Sequence, residues 1–98
     1  RKTSTQLVIV DGALSGTVVP LGSSPIIIGR ASDATIVLDD DFVSTHHARL
    51  TPNGNHWIVE DLGSTNGTYI DKTRVSTPTV FKPGTQLRIG KTSMELSS

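Results

Sequence analysis

Turn residues cut this chain before any segment grows long enough to form a helix. Short runs rich in Val, Ile, Thr and Leu recur about every eight to twelve residues, separated by Gly, Pro, Asn and Asp. They run from Gln6 to Val10, Thr17 to Leu21, Pro25 to Ile28, Thr35 to Leu38, His47 to Thr51 and His56 to Asp61. The rest are Thr68 to Ile70, Arg74-Val75, Thr79 to Phe81, Thr85 to Ile89 and Ser93 to Leu96. No stretch places apolar residues at the three-and-four spacing of an amphipathic helix. About eleven short strands, with tight turns such as Pro52-Asn53-Gly54-Asn55, predict an all-β fold, an antiparallel β-sandwich. Alternation puts Leu7, Ile9, Ile36, Leu38, Ala48, Leu50, Trp57, Val59, Leu87 and Ile89 on inner faces.

A chain of 98 residues suits one domain and no more. The opening Arg1-Lys2-Thr3-Ser4-Thr5 reads as the end of a polar linker, leaving 6–98 as the domain. Starting at Arg1 without a methionine, the chain is expected to be a domain excised from a longer protein. It has no cysteine, so neither disulfides nor thiolate metal sites are available. No apolar run nears the roughly 18–20 residues of a membrane span, and no signal peptide is visible. The expected location is cytoplasmic, any membrane tether belonging to a part of the parent protein outside this chain.

Charge narrows the function. Nine basic and nine acidic residues give a formal net charge of zero, whereas proteins that neutralise many nucleic-acid phosphates carry a marked basic excess. The aromatics Phe42, Trp57, Tyr69 and Phe81 are too few for a base-stacking surface, so no nucleic-acid partner is expected. An anion held here must be gripped by a few placed donors. Candidates sit in two long connections, Asp39 to Thr45 and Leu62 to Gly67, and at the end of the third strand. Long loops on a small sandwich are where function concentrates. Arg30 offers a planar fork for phosphate oxygens. Ser44 and Thr45 add hydroxyl or backbone donors, and the Asn66 amide suits a peptide backbone.

Gly29-Arg30, then Ser44-Thr45-His46-His47, then Ser64-Thr65-Asn66-Gly67-Thr68 behind Asp61, in that order and spacing, resemble the signature of the forkhead-associated family. The resemblance runs from about Gln6 to Leu96. It implies an eleven-stranded antiparallel sandwich whose loops at one end bind phosphothreonine peptides. By that likeness Arg30 and Ser44 hold the phosphate, Thr45 adds a contact, Thr65 lies beside the phosphothreonine, and Asn66 bonds the adjacent peptide backbone. Gly29, His47, Ser64 and Gly67 then support the loops. Thr45 departs from the family's pattern, where arginine is frequent, and leaves one charge fewer at the phosphate. The partners implied are a Ser/Thr kinase or its phosphorylated substrate, with the domain acting as a monomer and making no membrane contact itself.

Simpler readings exist for each residue. Arg30 alone would be a surface arginine paired with Asp33 or the Asp39-Asp40-Asp41 run. That run is usually a solvated loop, or here a means of repelling acidic peptide side chains. His47 is read as structural, and Gly67 as a turn glycine with positive φ. Adjacent histidines on a strand diverge, so His46 and His47 cannot share a metal ion, and neither a metal nor a cofactor is expected. Ser44 with His47 could imitate a nucleophile and its base, but no orienting third group or nucleophile elbow accompanies them, so the chain is not expected to be an enzyme. The alternative to a phosphothreonine reader is an assembly domain that binds through a sheet face, independent of phosphate.

Overall fold

The computed structural model describes residues 4–98. Its strands are β1 (Gln6–Asp11), β2 (Val18–Pro20), β3 (Ile26–Gly29), β4 (Ile36–Val37), β5 (Ala48–Asn53), β6 (His56–Asp61), β7 (Thr68–Ile70), β8 (Thr73–Arg74), β9 (Thr79–Phe81), β10 (Leu87–Ile89) and β11 (Thr92–Ser97). They form a six-stranded sheet, in the order β2-β1-β11-β10-β7-β8, and a five-stranded sheet, β4-β3-β5-β6-β9. The expected eleven-stranded sandwich is therefore present.

All ten inner-face residues named from alternation are buried, and the two sheets pack through them. One sheet supplies Leu7, Ile9, Leu87, Ile89, Met94 and Leu96, the other Ile26, Ile28, Ala48, Leu50, Trp57, Val59 and Phe81. Two further core residues come from the connection after β4. Leu38 and Val43 are each 2% exposed, so that loop is nailed down at both ends while Asp39, Asp41 and Phe42 are exposed between the nails.

Two details differ from the sequence reading. Strand β4 runs parallel to β3, pairing Ile28 with Ile36 and Gly29 with Val37, whereas the other pairs are antiparallel. Alternation shows which side chains face inward but says nothing of strand direction. The turn read at Pro52-Asn53-Gly54-Asn55 is shorter, because β5 continues through Pro52 and pairs Asn53 with His56. Pairing of β5 with β3 ends at Leu50, so the N–H that Pro52 lacks removes no bond on that side. Of the linker end read at residues 1–5, residues 1–3 lie outside the described residues. Ser4 accepts a hydrogen bond from the Trp57 indole at 3.3 Å, and Thr5 bonds Ser97 and Leu21.

Register places the functional loops together. Ile28 pairs with Ala48, and Ala48 with Asp61. In the other sheet Thr68 pairs with Ile89, and Ile89 with Thr92. The connections after β3, β4, β6 and β10 consequently emerge at one end of the sandwich.

Trp57 is the largest fully buried side chain. Trp57→Ala is expected to cost about 3–5 kcal/mol through lost burial and the cavity left behind. Urea denaturation should show a correspondingly lower midpoint with the all-β circular dichroism retained.

Candidate functional site

The end of β3 is set by a backbone contact. A Cβ on Gly29 would collide with the Thr45 carbonyl oxygen and come within 2.8 Å of its carbonyl carbon, so only glycine lets the two loops approach. Beyond it, the Arg30 N–H donates to Ser44 O at 3.0 Å and the Ala31 N–H to Thr45 O at 3.0 Å. Arg30, Ser44 and Thr45 are thereby fixed side by side by main-chain bonds.

The second loop is joined to the first through Ser44 and His47. The Thr65 N–H donates to Ser44 Oγ at 3.1 Å. That bond uses a lone pair of the hydroxyl and leaves its proton free to be donated elsewhere. His47 is fully buried. Its Nδ1 accepts the Ser44 N–H at 3.1 Å, and its Nε2 stands 2.8 Å from Gly67 O. A carbonyl can only accept, so Nε2 carries the proton and the ring is the neutral tautomer. Both nitrogens are committed to main chain, leaving none to deprotonate the Ser44 hydroxyl.

Within the loop 62–67, Asp61 is the organiser. It accepts from the Gly63 N–H at 3.1 Å, the Ser64 N–H at 3.0 Å, the Ser64 hydroxyl at 2.5 Å and the Thr68 hydroxyl at 2.7 Å. Ser64 Oγ in turn accepts the Gly67 N–H at 2.9 Å, and Gly67 takes the expected positive φ, +91°. Asn66 donates from Nδ2 to Phe42 O at 3.0 Å, which spends one of its two N–H groups on holding the loops together and leaves its Oδ1 without a partner among the described residues.

The expected site residues thus form two sets. Arg30, Ser44, Thr45 and Thr65 lie together at the loop tips with Asn66, whose amide is tied to Phe42 O, while Gly29, His47, Ser64 and Gly67 sit behind them as ties. Arg30 is exposed, and its guanidinium makes no hydrogen bond or ion pair among the described residues. The bland pairing with Asp33 does not form, because Asp33 lies 2.9 Å from His46 Nε2 instead. Beside Asn66 an open groove of about 590 Å³ continues past Phe42, Tyr69 and Lys72 to Arg88 and Lys91. Arg30, Ser44 and Thr45 lie outside its lining.

One residue of this end was misread from sequence. Asp40 looked like part of a solvated acidic run, yet its carboxylate accepts the Phe42 N–H at 2.8 Å and the Lys91 N–H at 2.8 Å. Those bonds, Lys91 first, hold its carboxyl below the ordinary value. The Lys91 bond joins residues too far apart in the chain for any local pattern to show it.

Burial pushes the Asp61 carboxyl up, but the hydroxyls of Ser64 and Thr68 and the Ser64 N–H outweigh it, and the group titrates below the ordinary value of 3.8. A carboxyl depressed in the folded state stabilises the fold above its unfolded pKa and loses that contribution as pH falls through the folded value. Stability is therefore expected to decline below about pH 4. Asp61→Asn should be less stable at neutral pH and show a shallower acid decline, read from thermal midpoints between pH 7 and 2.5. An unchanged pH slope would remove Asp61 from this role.

The arrangement has counterparts among known proteins. A family model described as FHA domain matches residues 26–90. FHA domain-containing protein FhaB of Mycolicibacterium smegmatis is 55% identical over 98% of this chain and 62% of its own length. FhaB of Mycobacterium tuberculosis is 52% identical over the same shares. The chain thus spans about 62% of these curated relatives. Among solved structures, one from a structural and functional analysis of phosphothreonine-dependent FHA domain interactions superposes with a TM-score of 0.86. It is 31% identical and covers 98% of this chain and 97% of that one. Mycobacterium tuberculosis EmbR in complex with a low-affinity phosphopeptide gives a TM-score of 0.83 at 30% identity, covering 95% of this chain and 24% of that one.

Proposed function

Because the chain belongs to the FHA-domain family, we propose that it is a phosphothreonine-dependent peptide-binding module recruiting proteins phosphorylated by Ser/Thr kinases. The observation that carries this reading is the set of uncommitted donors at the loop tips. The Arg30 guanidinium, the Ser44 hydroxyl proton and the Thr45 side chain have no acceptor among the described residues, although their backbones are fixed by hydrogen bonds. Donors held in place without acceptors are prepared for an anion, and little ordering remains to be done when one arrives.

A threonine phosphate carries about −1.5 to −2 charge and three acceptor oxygens. In our reading Arg30 meets two of these oxygens as a fork, Ser44 donates its hydroxyl proton, and Thr45 adds a donor. Thr65 lies beside the phosphothreonine, and the free amide atoms of Asn66 hold the neighbouring peptide backbone. Without the phosphate these donors return to water, so the modification acts as the switch. With one arginine at this spot and Thr45 uncharged, affinity depends strongly on that single cation. Within a family of binding modules, we assign no catalytic step to this chain.

Arg30→Ala is expected to cost about 2–5 kcal/mol of binding, roughly thirtyfold or more in Kd, because a desolvated charge partner is removed. Isothermal titration with one phosphothreonine peptide and its unphosphorylated twin tests this. Equal affinity for the twins in wild type would favour a phosphate-independent assembly domain. Wild-type affinity in the variant, with an unchanged melting curve, would dismiss Arg30 as the phosphate contact.

Phosphothreonine and phosphoserine differ by one methyl, and burying it contributes about 0.8 kcal/mol, roughly fourfold in affinity. A peptide pair differing at that position should show at least this preference for threonine. Equal dissociation constants would mean that no niche near Thr65 and Asn66 receives the methyl.

A further inference from the structure

A second surface at the same end shares Phe42 and Lys91 with the groove beside Asn66 but includes none of Arg30, Ser44, Thr45 and Thr65. Among the described residues five large hydrophobic ones are exposed, and three of them, Leu14 at 38%, Val37 at 42% and Phe42 at 51%, line one open cleft of about 560 Å³. Scattered exposed apolar residues need no explanation, whereas a cluster rimmed by charge marks an interaction surface. Its rim is acidic. Asp39 and Asp41 are exposed and have no hydrogen-bond or ion-pair partner among the described residues. Asp40 between them is turned inward onto the Phe42 and Lys91 N–H groups. The one cation on the lining, Lys91, lies over the Phe42 ring with Nζ 5.2 Å from its centroid.

The walls of the cleft are tied to the rest of the sandwich by core anchors and main-chain hydrogen bonds. Leu38 and Val43 anchor the acidic ridge in the core. Opposite it, Leu14 is carried by a tight loop in which Gly16 N–H donates to Ile9 O at 2.7 Å and Thr17 N–H to Leu14 O at 3.0 Å. Gly12 closes the floor. It takes a φ of +107°, and a Cβ there would lie 3.0 Å from Lys91 O.

We infer that this cleft docks a basic segment of a partner protein, one that places a large aliphatic side chain between Leu14, Val37 and Phe42 and arginine or lysine against Asp39 and Asp41. An apolar centre with charged edges is the usual anatomy of a protein contact, and two unpaired carboxylates select cations and reject acidic sequences. A second copy of this chain is a poor occupant, because a two-fold contact through this face would set acidic ridge against acidic ridge.

The test uses protein labelled with nitrogen-15 and two unphosphorylated synthetic hexapeptides, one alternating leucine with arginine and one alternating leucine with glutamate. In low salt the arginine peptide should shift the amide resonances of Leu14, Val37, Asp39, Asp41 and Phe42, and the glutamate peptide should not. The double variant D39K/D41K should raise Kd for the arginine peptide about tenfold or more, and Leu14→Ser should weaken binding while leaving the spectrum folded. Equal responses to both peptides, or unchanged affinity in D39K/D41K, would overturn the inference. So would shifts at these residues that grow with protein concentration in the absence of peptide, since a second copy would then fill the cleft. Neither peptide carries phosphate, so failure here leaves the Arg30 reading untouched, and failure of that reading leaves this one standing.

Discussion

The two hydrogen bonds of the buried His47 ring hold the functional end of this sandwich together. One nitrogen accepts from Ser44 and the other donates to Gly67, so a single side chain sets the spacing between the loop after β4 and the loop after β6. An imidazole suits this position because its neutral form presents one acceptor and one donor on opposite sides of a rigid ring. Both of its partners are main-chain groups, and the buried Gly67 carbonyl in particular would be costly to leave unpaired. The outward geometry of Arg30, Ser44, Thr45 and Thr65 is inherited from this tie and from the glycine contact at Gly29.

A consistent division of charge follows. Two carboxylates at this end are used internally. Asp61 gathers donors within its own loop, and Asp40 ties the ridge to the turn after β10. The guanidinium of Arg30 is left outward. A chain with no net charge thereby gains a local anion site without a broad positive field, and two of the acids at this end, Asp40 and Asp61, are already satisfied by backbone and hydroxyl donors. The unpaired Asp39 and Asp41 line a cleft that includes none of Arg30, Ser44, Thr45 and Thr65. Phe42 and Lys91, stacked on each other, line both the acidic cleft and the groove beside Asn66.

The chain itself determined the strands, their inner faces and the positions of the functional loops. Those follow from local chemistry: a two-residue alternation decides burial, and Gly, Pro, Asn and Asp decide where strands stop. The residues now found at the loop tips were also legible, through an ordered set of short blocks that resembles one family. Gly67 could be assigned its positive φ from its place in a turn, and His47 its structural role from its place at a strand start.

The remaining features came from how separate segments meet in space. The inward turn of Asp40 depends on Lys91, far along the chain, and the parallel run of β4, the continuation of β5 through Pro52 and the pairing of Asp33 with His46 depend on which neighbouring segment each group meets. The register of two sheets brings Asp40 to Lys91 and Leu14 to Phe42, and no local propensity encodes that register. Sequence can name a residue's chemistry and its face of a strand. Which donors stay uncommitted and which acids are consumed internally is settled only once every neighbour is in place, because a hydrogen-bonding group is free only when no nearby segment has claimed it.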